Sequence, residues 1–176
     1  TLLNVNHPKA YRIRGTRREE NRMQVIEGTM SVKALLDVAH EHNTTMTVYL
    51  TALFIYSIYK GMSARGKKNP VVLSVPVNLR QFFESETARN FFSTINVAYH
   101  FENSSIEFED VIQCVSECFK KELTEEKLKE HMNRQTALEH NVFTRVVPLI
   151  FKDITLRIAD RVNERGITAA LSNIGK

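Results

Sequence analysis

A chain of 176 residues, 43% hydrophobic and 25% charged, is long enough to bury a real core and too short for two ordinary domains. No stretch approaches the roughly 20 apolar residues needed to span a bilayer, and the start, Thr1-Leu-Leu-Asn-Val-Asn-His7, lacks the basic and apolar regions of a secretory leader, so a cytoplasmic protein is expected. The formal charge of +4 is uneven, with Arg12, Arg14, Arg17 and Arg18 near the start and Arg65, Lys67 and Lys68 in one turn. No basic stripe interleaved with aromatics marks a nucleic-acid binder.

Residues 1–20, rich in Asn, Arg, Pro and Gly, read as an extended connector. Met23, Val25 and, more weakly, Gly28 alternate with polar neighbours, which predicts a strand over 21–29. Ser31 is a good N-cap for a helix that carries Val32, Leu35, Leu36 and Ala39 on one side and ends near Asn43. Thr45 or Thr47 opens a second helix, Val48 to about Met62, so apolar around its circumference that burial on more than one side is expected. Gly61, Gly66 and a basic turn close it. The run Val71–Val77 is short, continuous and β-branched, which fits a central strand covered on both faces; Pro76, with no amide to donate, should end or bulge the pairing.

Residues 78–90 read as a loop. From Phe91 to Phe101 the chain alternates, with Ile95, Val97, Tyr99 and Phe101 on one face and Thr94, Asn96, Ala98 and His100 on a wetter one suited to a cavity. Ser105 is placed as the cap of a helix in which Phe108, Ile112, Val115 and Phe119 recur, and Thr124 as the start of another with Glu125 and Glu126 in its first turn. Residues 141–162 read as a last helix, kinked or restarted at Pro148, which Gly166 ends before a final strand over Ile167–Leu171. This order, without internal repeats, predicts an α/β (α+β) sandwich in which helices flank a mixed β-sheet.

Three ordered segments stand out: Val75-Pro-Val-Asn-Leu-Arg80, Thr87-Ala-Arg-Asn-Phe-Phe92 and Leu171-Ser-Asn-Ile-Gly175. Together they resemble the second half of the alcohol acetyltransferase-like proteins, in the superfamily that also holds chloramphenicol acetyltransferase, the wax-ester synthases and condensation domains. The likeness runs over about the last hundred residues and more weakly over the helix from Thr44 to Lys60. It implies a single C-terminal lobe of a chloramphenicol-acetyltransferase-like fold over residues 1–176, meeting an N-terminal lobe of the same enzyme along a solvent tunnel. It also implies transfer of an acyl group to an alcohol from acetyl-CoA or another acyl-CoA, a co-substrate and not a tightly bound cofactor. Those enzymes deprotonate the acceptor with the histidine of a His-x-x-x-Asp motif in the first half of the fold. None of the six histidines here has Asp four residues on, so the chain is expected to lack the general base and to be inactive alone. Truncation after Lys176 is expected too, because the family continues with further strands.

The candidate site residues follow from that resemblance and from chemistry. Arg80, just past an apolar strand, can orient a carboxylate or phosphate with its planar fork of donors, or hold its loop in a salt bridge. Asn78, Asn90, Ser172 and Asn173 are short polar groups at strand ends, suited to a pantetheine amide or an acyl carbonyl. Such residues also satisfy turn backbone, the preferred reading for Asn78, while Ser172 and Asn173 are assigned to the tunnel. Lys67 and Lys68 either meet the adenosine phosphates of coenzyme A or form a solvated basic turn.

Cys114 and Cys118 read as reduced packing residues, and the His40 and His42 pair lacks partners at metal-ligand spacing. Phe82, Phe83, Phe91 and Phe92 read as core or interface anchors; Phe82, Phe83 and Phe91 are expected to lie in an apolar face, left open without the partner lobe, through which the chain self-associates. The rival reading is a binding or docking module that keeps the lobe without its chemistry. Attachment to a membrane surface through Val146–Phe151 is disfavoured by the alternating charges of the rest of that helix.

Overall fold

Ser31 and Thr45 start the first two helices as their chemistry dictates. Ser31 Oγ accepts from the Ala34 N–H at 3.3 Å and opens α1 (Val32–Glu41); Thr45 Oγ1 accepts from the Val48 N–H at 3.4 Å and opens α2 (Met46–Gly61). Between them Asn43 takes a φ of 52°, the left-handed conformation that asparagine tolerates better than most residues, and the chain reverses. In this computed structural model the described residues are 9–15, 24–84, 86, 91–101, 106–139 and 165–173.

Among them a three-stranded mixed sheet has the order β2-β1-β3. Its centre is β1 (Val71–Asn78), antiparallel to β2 (Phe92–Tyr99) and parallel to the short β3 (Ala169–Ala170). Val71, Leu73, Val75 and Val77 stand opposite Tyr99, Val97, Ile95 and Ser93. Helices α2 and α3 (Phe108–Glu122) cover that face: Val48, Ala52, Ile55 and Tyr59 meet Val111, Ile112, Val115 and Phe119 over the strands in one core. Burying each of these larger aliphatic chains is worth about 1.5–3 kcal/mol. The opposite face is wetter, with Phe92, Thr94, Asn96 and Ala98 exposed along β2, as the alternation predicts. Helix α4 (Glu125–Glu139) begins at Thr124, whose Oγ1 accepts from the Lys127 N–H at 3.4 Å, and it buries Leu128.

The connector is partly pinned. Ala10 is buried, its N–H donates to the Arg165 carbonyl at 3.1 Å, and the Tyr11 N–H donates to the Pro70 carbonyl at 2.7 Å.

Several elements depart from the sequence reading. Residues 24–30 form no strand, and Val25 and Ile26 are 75% and 87% exposed, because alternation makes a strand only where a neighbouring strand and a buried face receive it. Helix α2 closes mainly one side, leaving Leu53 exposed and Phe54 and Ile58 half-buried. Glu107 caps α3, its N–H donating to Asp110 Oδ2 at 3.2 Å; Ser105 lies outside the described residues, as does the segment 141–162.

Pro76 does not stop the pairing of β1 with β2, which runs on through Pro76 opposite Thr94 to Asn78 opposite Phe92. The cause is parity. Val72 and Ser74 accept from the Thr168 and Leu171 N–H groups, at 2.8 and 3.0 Å, so even-numbered residues of β1 turn their backbone polar groups toward β3. The amide that Pro76 lacks would point that way, and β2 never needs it.

Candidate functional site

The carboxyl end of β1 is built around Asn78. Its Oδ1 accepts from the Arg80 N–H at 3.0 Å and opens a 3₁₀ turn, Leu79–Gln81. Leu79 is buried, and its N–H donates to the Phe91 carbonyl at 3.1 Å, which ties the turn to the entrance of β2. The Phe82 and Phe83 N–H groups both donate to the Leu79 carbonyl at 2.9 Å. Arg80, next to the buried Leu79, is exposed. Asn78 therefore does a turn residue's work, fixing the backbone from which the exposed Arg80 side chain springs.

Strand direction brings the other segments to the same end. Because β2 is antiparallel to β1 and β3 parallel, the entrance of β2 lies beside the exit of β1, and β3 runs toward that same end, leaving the sheet from opposite Ser74. Past β3, Leu171 bonds Ser74, Ser172 is exposed, and Asn173 Nδ2 donates to Thr47 Oγ1 at 3.1 Å. That bond places the amino end of α2, with its outward-pointing N–H groups, at the same site. Asn90 lies outside the described residues.

Sequence reasoning missed Ser93. It is 2% exposed on the core face opposite Val77, and its Oγ has no hydrogen-bond partner among the described residues. The available signal was parity, since Ser93 shares its face with Ile95 and Val97.

The basic turn is elsewhere. Gly66–Lys68 is a 3₁₀ turn before the amino end of β1, and seven residue steps of about 3.3 Å put about 23 Å between the two ends of that strand. Lys67 Nζ sits 3.9 Å from the centroid of the Tyr59 ring, and Lys68 is exposed. A coenzyme touching both these lysines and Arg80 would have to run the length of β1.

Of the aromatic anchors, Phe82, Phe83 and Phe91 are half-buried, and Lys129 Nζ lies 5.7 Å from the Phe83 ring centroid; Phe92 is exposed. Cys114 and Cys118 are half-buried free thiols. Burial, then Glu117 for Cys114 and Glu122 for Cys118, pushes their pKa values above the usual thiol range. His42 stacks on Tyr49 and meets the edge of Phe108, each at 5.7 Å between ring centroids. A shallow groove of about 340 Å³ between the α1–α2 turn and α3 includes none of the motif residues.

The family model described as alcohol acetyltransferase matches residues 16–176. The chain belongs to the alcohol acetyltransferase family. The match takes in α1 and part of the connector as well as the three motif segments, so it reaches further toward the start of the chain than those segments do. No curated protein and no solved structure matches the chain. Among the described residues of this alcohol acetyltransferase family member, no helix is long and apolar enough to cross a membrane.

Proposed function

We propose that this chain is the C-terminal lobe of a coenzyme A-dependent alcohol acyltransferase with a chloramphenicol-acetyltransferase-like fold, and that the carboxyl end of β1 is its share of the tunnel wall. The observation that carries the reading is the convergence of Val75–Arg80, the Phe91–Phe92 entrance and Leu171–Asn173 at one end of the sheet. The bond from the Leu171 N–H to the Ser74 carbonyl, at 3.0 Å, brings the last of these segments onto β1.

In the reaction a base on the preceding lobe takes the alcohol's proton while its oxygen attacks the thioester carbonyl. The carbon–sulfur bond then breaks, and the coenzyme leaves as a thiol once that proton is returned. This lobe contributes positioning. Arg80 orients an anionic partner, from the coenzyme or from the base's own aspartate; Ser172 and Asn173 offer hydrogen bonds to the pantetheine arm or to the oxyanion. Asn78 holds the turn, and Lys67 and Lys68 stand outside this wall.

The test is thiol release from acetyl-coenzyme A with simple alcohols, measured on the 176-residue chain and on the same chain joined to a preceding lobe that carries His-x-x-x-Asp. The chain alone should stay at the background rate, since a general base supplies about 10²–10⁴-fold, and the joined protein should turn over. Release by the chain alone would show that one of its own histidines acts as the base. A joined protein that binds acyl-coenzyme A without transfer would favour the docking module.

A further inference from the structure

The amino end of β1 gathers cations from three separate stretches of chain. The segment 9–15, tied to Pro70 and Arg165 through Tyr11 and Ala10, exposes Lys9, Arg12 and Arg14. Its Tyr11 ring lies so close to Gly66 that a side chain there would sit 2.9 Å from Cε2, which sets this segment directly on the basic turn. The turn adds Arg65, Lys67 and Lys68, and the end of α2 adds Lys60, whose Nζ lies 4.8 Å from the Tyr56 ring centroid. With Arg165 that makes eight cations, and the stretches 9–15, 56–70 and 165–173 contain no Asp or Glu. The acidic first turn of α3, Glu109 and Asp110, borders the face beyond the Tyr59–Phe101 stack, where Asp110 acts on the Tyr99 hydroxyl.

We propose that this face docks on a membrane surface carrying anionic lipid headgroups. Two features select that partner. Ile13, 56% exposed between Arg12 and Arg14, supplies an apolar contact flanked by cations, the pairing that binds interfacial segments to anionic bilayers. Of the face's aromatic rings, Tyr59 is buried beneath Lys67, and Tyr56 beside Lys60 and Tyr11 against Gly66 are half-buried, so no ring stands fully open for stacking on nucleic-acid bases. Cations distributed over three stretches also exceed what one nucleotide's phosphates can occupy.

Co-sedimentation of the 176-residue chain with vesicles tests this. The chain should pellet with phosphatidylcholine–phosphatidylserine vesicles, stay in solution with phosphatidylcholine alone, and be released by high salt. At about five-fold in partition per cation, the combined Arg12→Gln, Arg14→Gln, Arg65→Gln, Lys68→Gln variant should lose at least about 100-fold. All four side chains are exposed, so its thermal midpoint should match the parent's and separate lost docking from lost folding. Ile13→Asp alone should weaken pelleting about ten-fold. Equal pelleting with neutral vesicles, no pelleting at all, or a quadruple variant that pellets like the parent overturns the proposal. So does release by free coenzyme A well below the lipid concentration, which would assign the face to the coenzyme's phosphates. Tighter capture by single-stranded RNA would likewise overturn it in favour of nucleic acid. None of these readings depends on acyl transfer.

Discussion

Asn173 and Thr47, 126 residues apart in sequence, are joined side chain to side chain at 3.1 Å. This bond ties the exit of β3 to the start of α2, where the Thr51 hydroxyl also donates to the Thr47 carbonyl at 2.7 Å. Asn173→Ala and Thr47→Val should each cost about 0.5–1.5 kcal/mol, toward the low end because the pair is exposed. A double-mutant cycle in urea isolates the pair, and additive losses would mean that the two side chains do not act together.

Arg80→Ala in the chain joined to a preceding lobe that carries His-x-x-x-Asp should lower turnover with little change in the denaturation midpoint, because the guanidinium is exposed and its turn is held by Asn78 and Leu79. Arg80→Lys should restore only part of the rate, since one ammonium cannot reproduce a two-pronged contact. Steady-state kinetics beside denaturation curves decides. Full activity in Arg80→Ala would reduce the residue to a surface charge, and a stability loss matching the activity loss would make it structural.

Ser93→Ala should stabilise the isolated chain. A buried hydroxyl without a partner costs about 1–3 kcal/mol, and the substitution removes that cost while leaving only a small void beside Val77 and Ile95. A raised urea midpoint is the expected reading. A lowered one would show that the hydroxyl has a partner in solution.

Stability should fall on the alkaline side. Burial first, then nearby charges beginning with Cys114, raises the Tyr99 hydroxyl pKa above its ordinary value, and burial does the same for both thiols. The folded chain thus keeps these protons to higher pH than the unfolded chain does. Their contribution is fully present below the unfolded values and is lost as pH rises through the folded ones. Urea midpoints measured upward from about pH 8 should decline, and Cys114→Ala with Cys118→Ala should flatten the slope. Alkylation of the native thiols should be slower than in denaturant at the same pH; equal rates would contradict the protection.

What the sequence made legible was local. The caps Ser31, Thr45 and Thr124, the apolar spacing of α3 and the alternation of β2 each depend on residues within a few positions, and each led to the right element. Residues 24–30 show the failure of the same logic, since their alternation has no strand to pair with among the described residues. Which segments run toward the carboxyl end of β1 was partly legible, through motif order. The turn role of Asn78 was readable from its type, whereas the Asn173–Thr47 bond and the buried Ser93 hydroxyl depend on chain topology. The separation of Lys67 and Lys68 from Arg80 follows simply from their lying at opposite ends of one strand.

Pro76 acts as a length stop for its neighbour. The next amide that β1 would present to the departing C-terminal segment, after Ser74 has accepted from Leu171, belongs to a residue that has none. The donor half of the next rung of parallel sheet is therefore missing, and Asn173 bonds Thr47 at the start of α2 where β3 is not extended. An amide at position 76 would offer that rung and compete with Thr47 for the segment, so one ring closure decides whether Ser172 and Asn173 serve as sheet or as rim.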